Sequence, residues 1–174
     1  MFKNILIATD GSEHSKKAVE LGAALAAGSG GQVVLVHVLL VGEVDTDVQR
    51  MIDAEFPGAE PALGSADDIM STRLAAPRFD ISLHRATSYR IFRILGDQII
   101  EQAIKVVKAE GVDQVSTLLL EGNPAEQILN SVTDVQADVV ICGARGLSRF
   151  SALLLGSVSN KIAQLCPVTC VTVR

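Results

Sequence analysis

Asn4-Ile5-Leu6-Ile7-Ala8-Thr9-Asp10-Gly11-Ser12 begins as an unbroken apolar run and ends in a polar turn. Apolar residues without polar alternation read as a β-strand covered on both faces. The turn leads into a helical stretch, Ser12 to Ala27. There Ala18, Leu21, Gly22, Leu25 and Ala26 recur at the spacing of one helical face. Gly28-Ser29-Gly30-Gly31 ends that helix, and Val33 to Val38 is a second buried strand. Two such strands joined through a helix predict parallel neighbours, which no tight hairpin can connect.

The alternation resumes further on. A helix is expected from about Phe92 to Glu110, with Phe92, Leu95, Ile99, Ala103, Val106 and Val107 as its apolar stripe and Gly111 as its stop. Val115 to Leu120 is a third strand. Asn123 as cap, Pro124 at the first position and Glu126 reaching back open another helix. Ala137 to Cys142 is a fourth strand. A helix from about Ser157 to Leu165 stops at Cys166-Pro167, and Val168 to Val173 is the fifth strand. The expected architecture is α/β: a single domain with a five-stranded, mostly parallel open sheet and helices on both faces. Ligands of such sheets sit beyond the carboxyl ends of the strands, where strand order reverses. The places to search are therefore Thr9 to Ser12, Val38 to Val41, Glu121 to Asn123, and Gly143 onward.

Composition narrows the classes. Of 174 residues, 48% are apolar and 20% charged, which suits a packed core and not a disordered chain. Aromatic residues are 3%, too few for a stacking platform on single-stranded nucleic acid. The net charge of -5 gives no general attraction for nucleic acid or anionic lipid. The longest apolar run, Val33 to Val41, includes His37 and falls well short of a membrane span. The start, Met1-Phe2-Lys3, precedes an apolar run too short for a signal peptide. A cytoplasmic protein without a membrane span is expected. Cys142, Cys166 and Cys170 lack CxxC spacing and read as inert buried thiols.

The stretch from about Gly42 to Arg93 fits no element. Glu43 to Asp68 carries eight acids against Arg50, and Ile69 to Arg93 carries five arginines against Asp80. It reads as a variable insertion at about 42–93. One reading is a solvated segment whose halves attract each other. The other is a lid or partner surface.

The most specific feature follows the fourth strand: Gly143-Ala144-Arg145-Gly146, nine residues, then Gly156-Ser157. Glycines after a strand permit tight turns and close approach of a ligand. Their backbone N–H groups can form a nest for oxyanions. Gly156-Ser157 stands at a helix start, where unpaired N–H groups and the helix dipole favour negative charge. Ser157 and Ser159 add hydroxyls. The alternative is a glycine-rich loop with Ser157 as an ordinary cap.

This pattern resembles the G-x2-G-x9-G-[S/T] signature of the universal stress protein family, in its ATP-binding branch. The resemblance covers most of the chain. Ile7-Ala8-Thr9-Asp10-Gly11-Ser12-Glu13-His14-Ser15 is similar to that family's first strand and turn, and Leu35-Val36-His37-Val38 to its second strand. Glu121-Gly122-Asn123-Pro124-Ala125-Glu126 is similar to its third strand and the helix start after it, and Cys166-Pro167-Val168 onward to its last strand. Ala8 departs from the proline often found there.

The resemblance implies a Rossmann-like fold of the adenine nucleotide alpha hydrolase type and an adenine nucleotide, ATP, as ligand. Mg²⁺ would then be held mainly by the phosphates. It places Ala8, Thr9 and Asp10 beside the adenosine, with Asp10 near the ribose, and Val38 on adenine through its backbone. Gly143, Ala144, Arg145, Gly146 and Arg149 would wrap ribose and phosphates. Gly156, Ser157, Val158 and Ser159 would hold the phosphate tail. It also implies homodimers through the last strand, Val168 to Val173, and a role in stress response.

Plainer readings stand beside these. Asp10 with Glu13 could form a capping box, His37 reads as a structural histidine in a core strand, and Arg145 and Arg149 could be solvated. The chain has no G-x-x-x-x-G-K-[S/T] loop, no G-x-G-x-x-G after the first strand, no G-x-S-x-G elbow and no His pair at metal-ligand spacing. None of His14, His37 or His84 lies in the glycine motif, so binding with at most slow hydrolysis of ATP is expected rather than fast catalysis; the alternative is a nucleotide-free module that assembles through its last strand.

Overall fold

The computed structural model describes residues 2–39, 81–146 and 156–174. Along the chain come β1 (Asn4–Ala8), α1 (Glu13–Ser29), β2 (Gln32–Leu39), α2 (Ile81–Ala109), β3 (Val115–Glu121), α3 (Pro124–Asp134), β4 (Val139–Gly143), α4 (Ser157–Leu165) and β5 (Thr169–Val173). The strands form one sheet in the order β3-β2-β1-β4-β5. Each neighbouring pair is parallel. The expected α/β class and five-stranded parallel sheet are what the protein has.

Side-chain alternation divides the core. Ile5, Ile7, Val33, Leu35, Val139 and Ile141 face α1 and α2, meeting Ala18, Val19, Ala23, Ala26, Ile100, Ala103 and Val107. Leu6, Val34, Val36, Val38, Val140 and Cys142 face the other way, onto Ile128 and Val132 of α3 and Ile162 of α4. The centre of the sheet is therefore covered on both faces, which is why β1, β2 and β4 carry no polar alternation. The two outer strands, β3 and β5, are only partly buried.

By contact the chain falls into two compact units, Met1–Leu40 with Gly96–Arg174, and Val41–Leu95. The sheet belongs to the first. The expected insertion at 42–93 lies outside the described residues up to position 80. From Ile81 the chain is already helical, so α2 begins eleven residues before the expected start at Phe92. Residues 81–91 contain neither Gly nor Pro but show no regular apolar stripe, so periodicity alone could not mark them.

The expected face of α1 needs one correction. Leu21 is 45% exposed, while Val19 and Ala23 are buried beside Ala18, Gly22 and Ala26. The face is rotated because α1 presses on the sheet through small residues. A Cβ on Gly22 would run into the Ile7 side chain and stand 3.3 Å from Cδ1 of Ile141.

Candidate functional site

Strand order reverses between β1 and β4. The chain runs outward through β2 and β3 on one side, then returns to build β4 and β5 on the other. The crevice expected at such a point lies above the ends of β1 and β4. Ala8 is in register with Val36 on one side and Cys142 on the other, so all three strand ends stand at the same level.

A polar web ties the turn after β1 to the start of α1. Ser12 is the N-cap: its Oγ accepts from the Ser15 N–H at 3.3 Å. The Ser15 hydroxyl returns the bond to the Ser12 carbonyl at 2.9 Å. Asp10 is not the cap. Its Oδ1 accepts from the Ser12 N–H at 3.1 Å, holding the turn two residues earlier than a capping box would. Thr9 is buried, and its hydroxyl donates to Ser15 Oγ at 3.2 Å.

The same cap reaches the glycine loop. The Ser12 hydroxyl donates to the Arg145 carbonyl at 3.2 Å. Gly143 lies against α1, where a Cβ would stand 2.8 Å from the Ser15 nitrogen and 2.9 Å from the His14 carbonyl carbon. Both are backbone atoms and cannot swing away, so this glycine is required by the packing of the fold. A Cβ on Gly146 would run into the Asp10 carboxylate. The turn after β1 and the loop after β4 are thus closely apposed.

Helix α4 joins from the other side. Its N-cap is Gly156, not Ser157, and no side chain caps it. The Gly156 N–H donates to the Ala144 carbonyl at 2.8 Å, and the buried Ser159 hydroxyl donates to the same oxygen at 2.8 Å. Ser159 therefore spends its side chain on fixing the loop, and only its backbone N–H is left to offer to a ligand. The first-turn N–H groups of Ser157, Val158 and Ser159 belong to the end of a helix that leaves them without intrahelical partners. Ser157 is exposed. Unlike Gly143, Gly156 has room: a Cβ would meet its nearest atom, the Ala144 oxygen, at 3.4 Å. Its backbone, φ -62 and ψ 157, is one that any residue adopts.

Val38 enters through its main chain. The Thr9 N–H donates to the Val36 carbonyl at 3.0 Å, so Val36 turns its backbone groups toward β1. Strand alternation gives Val38 the same direction. Its side chain is buried in the α3 and α4 layer, while its N–H and C=O face the space beyond the end of β1. Next to it, His37 is buried, with Nδ1 2.8 Å from the Thr9 carbonyl, which fixes the Nδ1–H tautomer. Burial lowers its pKa more than the Thr9 bond and the nearby Asp10 charge raise it. It is a neutral buttress under the turn, the structural role its place in a core strand suggested.

Ala8, Thr9, Asp10, Val38, Gly143, Ala144, Arg145, Gly146, Gly156, Ser157, Val158 and Ser159 therefore collect around one end of the sheet. Arg149 lies outside the described residues. Sequence reasoning missed Ser12 and Ser15, which hold the two halves together. The signal was the Ser12-x-x-Ser15 spacing at the helix start.

The sequence pattern of the universal stress protein family matches residues 1–174. The chain is 30% identical over 174 residues, all of both chains, to a universal stress protein of Thermus aquaticus encoded in the 3′ region of the QAH/OAS sulfhydrylase. A universal stress protein solved in complex with cAMP superposes with a TM-score of 0.62 at 21% identity, over 99% of this chain and 97% of that one. The universal stress protein of Archaeoglobus fulgidus in complex with dAMP gives 0.56 at 16% identity, over 99% and 98%. Those two structures share the fold. With its parallel sheet, its glycine loop and a match along its whole length, this chain belongs to the universal stress protein family.

Proposed function

We propose that this chain is an ATP-binding universal stress protein, a regulatory stress-response protein rather than a fast enzyme. One observation carries the reading: the N-terminus of α4 has no side-chain cap and is bonded directly to the glycine loop at the sheet's reversal point. Backbone N–H groups and a helix dipole gathered at one spot suit phosphate oxygens. Two solved structures of this fold hold adenine nucleotides, cAMP and dAMP.

In this reading the Val38 backbone meets adenine beside Ala8 and Thr9, and Asp10 accepts from the ribose hydroxyls. Gly143, Ala144, Arg145, Gly146 and Arg149 wrap ribose and phosphates. Gly156, Ser157, Val158 and Ser159 hold the phosphate tail. The residues fit such a group, because Gly156 puts no side chain at the start of α4 and no other side chain caps it. Mg²⁺ would bring charge neutralisation, held mainly by phosphate oxygens. The protein works as a single cytoplasmic domain with a variable insertion at 42–93 and pairs with a second copy along β5.

Calorimetric titration with ATP and Mg²⁺ tests the proposal. Gly156→Val is the matched variant, because Gly143→Val would strike the α1 backbone and disturb the fold itself. The parent is expected to bind, and the variant to lose at least tenfold in affinity with an unchanged circular dichroism spectrum. No binding by the parent, or equal binding by the variant, ends this reading.

A further inference from the structure

Strand β2 runs past the end of β1. Its pairing with β1 stops at Ala8 opposite Val36, while its pairing with β3 continues through Val38 opposite Leu120 to Leu39 opposite Glu121. The even-numbered residues of β2 turn their backbone toward β1. The Gln32 N–H donates to the Lys3 carbonyl at 2.7 Å, and the Val36 carbonyl accepts from the Thr9 N–H at 3.0 Å. In a parallel ladder the next rung would run from the Val38 N–H to the Thr9 carbonyl. The register between the two strands ends before that rung.

A side chain takes the Thr9 carbonyl instead. The ring of His37, the residue just before Val38, brings Nδ1 to 2.8 Å from that oxygen. Alternation along β2 sends this ring to the α2 side of the sheet, opposite to the Val38 side chain. Gly96 of α2 makes room for it: a Cβ there would stand 3.0 Å from His37 Cδ2 and 2.7 Å from Leu39 Cδ2. The ring is buried and closely packed, so it has little freedom to turn away. Among the described residues, no strand then stands opposite the N–H and C=O of Val38 on the β1 side.

We propose that His37 is a positioning residue for the base of the nucleotide. By taking the Thr9 carbonyl it ends the ladder one rung early and keeps the Val38 N–H and C=O open to the edge of an adenine ring. The inference rests on the nucleotide reading above. Adenine presents a ring nitrogen that accepts beside an amino group that donates. The N–H and C=O of one extended residue, facing the same way, match that pair. Without the ring, the Thr9 carbonyl would be a buried acceptor in need of a donor, and the Val38 N–H is the one in register with it. Closing that rung would withdraw the donor from the base.

Amide hydrogen exchange of the nucleotide-free protein, resolved by NMR, is compared for the parent, His37→Leu and His37→Asn. The Val38 N–H is expected to exchange fast in the parent and about tenfold more slowly in His37→Leu, where it closes the rung. His37→Asn keeps a side-chain donor and should restore the fast rate. The same proteins are titrated with ATP and Mg²⁺ and with inorganic triphosphate. His37→Leu should lose about tenfold in affinity for ATP and stay within about twofold of the parent for triphosphate, since only the base end has changed. His37→Asn should recover the ATP affinity. A Val38 amide already protected in the nucleotide-free parent overturns the inference, even where ATP binds and even where His37→Leu does not fold. So does a Val38 amide equally fast in His37→Leu, or an equal loss for ATP and triphosphate. A parent that binds no ATP overturns the nucleotide reading and the base as occupant, and the exchange rates then decide whether His37 holds the rung open.

Discussion

His37 shows how one buried side chain couples the site to pH. Its ring donates to the Thr9 carbonyl from inside the sheet, so protonating it puts a second charge-bearing N–H where there is little water. Burial depresses its pKa in the folded state, so as pH falls the unfolded chain takes up the proton first. The stability it contributes is fully present above the unfolded histidine value of about 6.5 and is lost as pH drops through the lower folded value. The melting temperature is expected to fall from pH 7.5 to pH 5.5. In His37→Asn, which keeps an amide donor near the Nδ1 position, that fall should be shallower. Calorimetric scans across this window decide it, and parallel curves for the two proteins would show that His37 does not titrate.

Helix α1 depends on one small cap that serves two neighbours. Ser12 satisfies the Ser15 N–H and also holds the Arg145 carbonyl, linking the turn after β1 to the loop after β4. Losing a serine cap costs about 1 kcal/mol, which in a chain of this length lowers the melting temperature by about 2–4 °C. Ser12→Ala should show that loss and also weaken ATP binding, because the loop loses its anchor. Ser12→Asp restores the cap but not the hydroxyl donor, so it should recover stability more than affinity. The elements differ in how plainly the sequence announces them. Strands β1, β2 and β4 were legible because burial on both faces leaves a continuous apolar run. The face of α1 was not, since Leu21 and Val19 are alike in chemistry and only the packing of Gly22 on Ile7 tells which one turns inward. The spacing of the glycine loop marked it as a candidate site, and it does stand at the sheet's reversal point. That a Cβ at Gly143 would strike the α1 backbone while one at Gly156 would stand in ordinary contact is a matter of three-dimensional packing, invisible in a pattern that treats the two alike.

Among the described residues the sheet ends in an open edge at β5. The Ala144 N–H bonds to the Val173 carbonyl, so Val173, Val171 and Thr169 turn their backbone groups toward β4. By alternation, Cys170 and Thr172 turn theirs outward, and among the described residues no further strand lies beyond β5. A short edge strand with free donors is a template for another strand, and in a symmetric dimer the same edge would serve both copies. Removing β5 altogether would also strip cover from Val139 to Gly143, so deletion would confuse folding with assembly. Thr172→Pro is the sharper change, because it removes an outward N–H while leaving the bonds to β4 in place. The parent is expected to scatter light as a dimer and the variant as a monomer, with little change in far-ultraviolet circular dichroism. A variant that stays dimeric would move the interface away from this edge.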